Sequence, residues 1–177
     1  MQKKDSPLRR MVYASMFGAL TAIGALLIIP LQPVPITLQS LFTYLAGILL
    51  GGYTAALSQI IYVLLGVIGL PVFAGGKAGF GILLGPTGGF LIGFIIAALV
   101  IGKLIEFKRE PGIIWISMAL LLGTVCIYIP GVLQMAAAAK FSYTQAMLVA
   151  VQYLPGDLLK MLAAVMIALA LKKNKLF

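Results

Sequence analysis

Followed as a pattern of apolar and polar positions, the chain falls into long apolar runs parted by short clusters of proline, glycine and charge. The runs cover residues 11–29, 36–50, 54–70, 88–102, 113–129 and 157–171, and they lack the wet face of a soluble amphipathic helix. They predict six membrane-spanning helices in a single domain, an all-α integral membrane protein built as a compact bundle. Breakers fall between them: Pro30, Pro33 and Pro35, then Gly51-Gly52, the segment 71–87, and 106–112. Several runs are short for a hydrocarbon core of about 30 Å, so their ends require local thinning or completion by loops. Residues 132–153 are expected to form one or two short helices at the outer face, neither long enough to cross.

Composition supports this reading. Of 177 residues 62% are apolar and 10% charged, against about 25% charged in a soluble domain. Mean hydropathy is +1.13. The net charge of +9 does not indicate nucleic acid, because so apolar a chain has no polar face on which to bind it. The charge instead sets direction. Lys3, Lys4, Arg9 and Arg10 precede the first run, Lys103, Lys108 and Arg109 follow the fourth, and Lys172, Lys173 and Lys175 follow the sixth. Six crossings put all of these on one side, so both termini are expected in the cytoplasm, with Lys77 and Lys140 outside. The first run has a basic start like a signal peptide. It is too long for one and ends without a small-residue cleavage site, so it is expected to be retained.

Chemistry is sparse. Without histidine, and with Cys126 the single cysteine, the chain has no imidazole base, no Cys-His dyad, no disulfide and no cysteine or histidine metal cage. Within the runs the ionisable residues are Asp157 and Lys160, three apart and thus on one helical face. Such groups in a span are candidates for function. Two roles fit Asp157, a helix N-cap after Pro155-Gly156 and a ligand for an N–H group, and the two are compatible.

Two further polar regions share the outer side. The segment 70–89 carries seven glycines and the charge of Lys77, and reads as either a plain loop or a lid over a cavity, here taken over 71–87. Gly75-Gly76-Lys77 does not match a phosphate loop, since no Ser or Thr follows the lysine. At the start of the second run, Thr37 and Gln39 offer hydrogen-bonding groups for interhelical contact or for a ligand. The three regions together imply an outward-facing pocket, mostly apolar with a few polar points. On the first run Ala14, Gly18 and Ala22 form a small-residue stripe suited either to internal packing or to a partner helix, whereas Gly47-x-x-x-Gly51 and Gly89-x-x-x-Gly93 read as internal contacts. No chain of mid-membrane carboxylates and no inverted repeat supports a self-powered carrier.

Four segments, Val34-Pro35-Ile36-Thr37-Leu38-Gln39, Gly69-Leu70-Pro71-Val72-Phe73-Ala74-Gly75-Gly76, Leu84-Gly85-Pro86-Thr87-Gly88-Gly89-Phe90 and Leu154-Pro155-Gly156-Asp157-Leu158-Leu159-Lys160, resemble in order and spacing the BioY family. These proteins are biotin-specific substrate-binding (S) components of energy-coupling factor (ECF) transporters. The resemblance implies a multi-pass protein of the prokaryotic plasma membrane with the six-helix S-component fold. It also implies that the chain is not an enzyme, uses no cofactor and carries biotin as its cargo. Asp157 would accept from a ureido N–H, Lys160 would donate, and Lys77 would face the valerate carboxylate. Phe73, Gly75, Gly76 and Tyr128 would wall the pocket. Partners would be a transmembrane coupling subunit, docked on Ala14, Gly18 and Ala22, and two cytoplasmic ATPases that alone use ATP.

Overall fold

The computed structural model describes Ser6–Lys173, with side chains through Leu171. Lys3, Lys4 and Lys175, and the side chains of Lys172 and Lys173, lie outside the described residues. The order is α1 (Pro7–Leu26), β1 (Ile28–Ile29), β2 (Ile36–Thr37), α2 (Gln39–Leu50), α3 (Gly52–Val67), α4 (Phe80–Leu84), α5 (Gly88–Phe107), α6 (Ile113–Ala139), α7 (Tyr143–Val151) and α8 (Leu154–Lys173). Among the described residues three helices are long and apolar enough to cross a membrane, Gly88–Phe107, Ile113–Ala139 and Leu154–Leu171, with shorter apolar helices at Gln39–Leu50 and Gly52–Val67.

The exterior is apolar, unlike that of a soluble protein, and the largely apolar interior also holds polar side chains. Thr21, Thr43, Ser58 and Gln59 are buried, while Met118, Leu121, Leu122 and Val125 on α6 and Leu158, Leu159, Leu162 and Met166 on α8 are exposed. An apolar exterior over a polar-seamed interior suits hydrocarbon as solvent. The seam ties α1 to α3 and α2: Gln59 Nε2 donates to Thr21 Oγ1 at 3.2 Å, and Thr43 Oγ1 donates to Gln59 Oε1 at 3.2 Å.

The expected boundaries are corrected at several places: α1 starts earlier, at Pro7, α3 ends earlier, at Val67, and α5 runs on to Phe107, and four further differences change the architecture. Ile28–Ile29 and Ile36–Thr37 form a two-stranded antiparallel hairpin, where helix was expected. Pro30, Pro33 and Pro35 between them remove backbone N–H donors and favour extended backbone in the residues before them. The sixth helix begins at Leu154, three residues earlier than expected, and α6 continues through Pro130 to Ala139, ten residues further. Lys140 stops α6 in a left-handed conformation (φ 56°), and Ser142 and Gln145 start α7 as a reciprocal capping box. Finally, the segment 71–87 contains the short helix α4.

Glycines set the helix spacing. A Cβ on Gly93 would lie 2.7 Å from Ile127 Cα, and one on Gly47 would lie 2.7 Å from Ile101 Cγ2, so both small-residue pairs serve contacts within the chain. At the end of the bundle remote from the hairpin, Glu106 of α5 closes the α2–α3 corner. Its Oε1 accepts from Gly52 N at 3.0 Å, its Oε2 pairs with Lys103 Nζ at 3.0 Å, and Gly102 rests on the Gly51–Gly52 backbone. Gly51 takes φ 77°, a conformation that disfavours any side chain.

Gly93→Ala is expected to force α5 from α6 at a point where the obstacle is backbone, costing about 1–3 kcal/mol. Thermal unfolding in detergent should show a melting temperature several degrees lower; an unchanged one would contradict this packing.

Candidate functional site

The hairpin, the segment after α3 and the first turn of α8 meet at one end of the bundle. There they enclose a cavity of about 760 Å³ of empty space, including its open mouth. Its walls are largely apolar, with Phe73, Ile82, Phe90, Leu91, Phe94 and Ile127 among them. Polar groups enter from α2, α6 and α8.

Asp157 is the centre of these. It lies in the first turn of α8 and its backbone N–H donates to Tyr153 O at 3.0 Å, so it does not cap the helix; the capping alternative is corrected. The carboxylate is free to face the cavity. Its Oδ1 accepts from Ser40 Oγ at 2.9 Å and Lys160 Nζ at 2.8 Å, and its Oδ2 accepts from Tyr128 Oη at 2.6 Å. Lys160 Nζ also donates to Ser40 Oγ at 3.0 Å. The side chains of this ion pair are 10% and 11% exposed, so the charges are held in low dielectric and neutralise one another. A carboxylate offers about four acceptor positions and an ammonium three donors. The pair therefore retains one of each for a ligand.

Gln39 and Thr37 also line the cavity and are joined, Thr37 Oγ1 donating to Gln39 Oε1 at 2.7 Å. Gln39 Nε2 donates to Tyr62 Oη, which fixes the amide. Tyr62 in turn meets Phe73 edge to face, with ring centroids 5.7 Å apart. Phe73 is buried over Gly66, whose missing side chain leaves the space its ring fills.

Gly75 and Gly76 are not pocket walls, and that expectation is corrected. They are exposed, with φ 73° and 72°, and make the turn that closes the Phe73–Lys77 bridge. Their freedom at positive φ delivers Phe73 and Lys77 to the cavity. The Lys77 ammonium forms no ion pair or hydrogen bond among the described residues. The segment is anchored at both ends, by Gly79 N donating to Gly66 O at 2.7 Å and by Gln134 Nε2 donating to Leu83 O at 2.6 Å.

The small-residue stripe of α1 is also placed differently. Ala14 and Gly18 are buried, and a Cβ on Gly18 would lie 3.0 Å from Ser58 O, so these two pack on α3. Ala22 is half-buried, and the exposed small residues of α1 are Ser15 and Ala19.

The chain matches the BioY family over residues 1–176. It belongs to that family. It is 41% identical to the biotin transporter BioY of Thermotoga maritima over 94% of this chain and 97% of the other. It is 36% identical to that of Rhizobium etli over 92% of each. Its fold is similar to a crystal structure of the S-component for biotin from an ECF-type ABC transporter, with a TM-score of 0.88, 27% identity, and 98% of this chain and 95% of the other covered. The chain is accordingly a multi-pass membrane protein of a transporter family.

Ser40, Tyr62 and Tyr153 were not singled out from the sequence. Ser40 carried a signal, a polar side chain next to Gln39 at the start of an apolar helix. Tyr153 carried none, since its neighbourhood shows no periodicity.

Lys160→Met is expected to leave the buried Asp157 charge without its counter-ion and to cost about 3–5 kcal/mol. The pair Asp157→Asn with Lys160→Met should recover most of the loss. Melting temperatures of the three proteins without ligand test this; a double variant no more stable than the single would contradict it.

Proposed function

We propose that this chain is the S component that captures biotin from outside the cell and, with ATP-hydrolysing partners, delivers it inward. The observation that carries this is the separation of charge in the cavity. Asp157 and Lys160 neutralise each other at one wall and offer one acceptor and one donor, which suits a neutral group that both donates and accepts, as a ureido ring does. Lys77 is an uncompensated cation on another wall, which suits a carboxylate. Apolar residues between them suit the thiophane and the aliphatic chain. A cationic vitamin such as thiamine would be repelled by Lys77.

In this reading Asp157 accepts from a ureido N–H, Lys160 donates to the ureido carbonyl, and Thr37 and Gln39 complete the polar wall. The segment 71–87 acts as the lid of a single membrane domain. In the same reading α1, α5, α6 and α8 cross the bilayer, the shorter α2 and α3 complete the six spans with the help of their flanking segments, and α7 lies on the outer face. Both termini are cytoplasmic, in keeping with Lys103, Lys108 and Arg109 on that side. Partners are a transmembrane coupling subunit and two cytoplasmic ATPases, since the chain carries no nucleotide motif of its own. The outward side of α1, with Ser15 and Ala19 beside exposed Val12 and Met16, supplies the docking face in place of the buried Ala14 and Gly18.

Radiolabelled biotin should bind the purified protein in equilibrium dialysis, without competition from thiamine or riboflavin, and Asp157→Asn should weaken binding at least about ten-fold. Failure of a folded preparation to bind, or indifference to Asp157→Asn, would overturn the assignment. Orientation is tested separately in intact cells, in a Cys126→Ser background. A membrane-impermeant maleimide should label Lys140→Cys and spare Lys108→Cys, and the reverse result would invert the proposed topology.

A further inference from the structure

Tyr153, in the turn between α7 and α8, is 7% exposed and lines the cavity beside Asp157. Its hydroxyl is, among the described residues, the buried side-chain polar atom without a hydrogen-bond partner. It stands beside the Val34 backbone amide but makes no hydrogen bond of normal geometry with it. Such a group is unusual in a folded chain, because phenylalanine would fill the same space without leaving a donor unmet. Its position relates it to the ion pair: Asp157 N bonds to Tyr153 O, so the two residues are one turn apart on the same side of the helix start.

The choice of partner follows from what each group still lacks. Asp157 already accepts from Ser40, Lys160 and Tyr128 and has one position left. A ureido ring that gives it an N–H presents its carbonyl next to that N–H, and a carbonyl oxygen accepts two hydrogen bonds. Lys160 supplies one. We propose that Tyr153 supplies the second, donating its hydroxyl to the ureido carbonyl oxygen and so selecting for an acceptor at that position. The inference rests on the biotin reading of the cavity and adds to it a specificity-determining residue.

The test compares the unaltered protein with Tyr153→Phe for binding of biotin, biotin methyl ester and 2-iminobiotin, the last by competition. In protonated 2-iminobiotin an N–H donor replaces the carbonyl acceptor, whereas the ester keeps the ureido ring and removes only the carboxylate charge. Tyr153→Phe should weaken biotin and its ester by about 3- to 10-fold and 2-iminobiotin by less than about two-fold. The melting temperature without ligand should be unchanged or higher, since among the described residues the lost oxygen makes no hydrogen bond of normal geometry. Unchanged biotin affinity, or equal losses for biotin and 2-iminobiotin, would overturn the proposal. So would a loss confined to biotin and absent for the ester, which would assign the hydroxyl to the carboxylate, or a lower melting temperature, which would make it structural. If the unaltered protein binds no biotin, both this inference and the proposed function fall; if it binds and Tyr153→Phe binds equally, only this one does.

Discussion

The placement of α8 depends on the cost of a carboxylate in a medium that cannot solvate it. Apolar side chains give little reason for one helix to prefer another over lipid, since both surroundings are hydrocarbon. The preference here comes from Asp157, which finds its three donors on α2, α6 and its own helix. Removing α8 from the bundle would expose that charge to lipid. The groups that hold the helix in register are thus the groups that line the cavity, so the shape of the cavity and the assembly of the bundle draw on the same residues.

Close approach of backbones provides the remaining cohesion. Where glycine stands at 93 and 102 the helices meet backbone to backbone, and at 47 the space is taken by the branched side chain of Ile101. Dispersion at short range replaces the hydrophobic effect that would drive such contacts in water. Gly66 follows the same logic at the mouth of the cavity, but the space it leaves is taken by Phe73 from the segment above. One residue type therefore sets both the spacing of the bundle and the seating of the pocket wall.

Much of this was legible in the apolar pattern. Long runs in a lipid solvent leave few alternatives to helices, and so the six segments were found with their middles correct. Their ends were misread where local rules compete. Three prolines turned the expected ends of two helices into a hairpin. The fifth run ends at residue 129 in the apolar pattern, yet α6 continues past Pro130 with Gly89 seated against the Pro130 carbonyl. The site was partly legible. Asp157 and Lys160 stand out because charge is scarce, and Lys77 for the same reason. Gly75 and Gly76 announced a tight turn but not what that turn carries. The α1 stripe left internal packing and a partner helix both open, because small-residue spacing defines a close contact without saying on which side the partner lies. Tyr153 was invisible, since an unmet donor is a property of surroundings and not of sequence.

Glu106 has a consequence for how cargo could leave. By holding Gly52 and pairing with Lys103 it closes the end of the bundle opposite the cavity, where Gly102 also lies on backbone. Among the described residues the molecule is thus shaped as a cup and not as a pipe, with these contacts as its floor. Whatever such a cup takes in through its mouth has that same mouth as its way out.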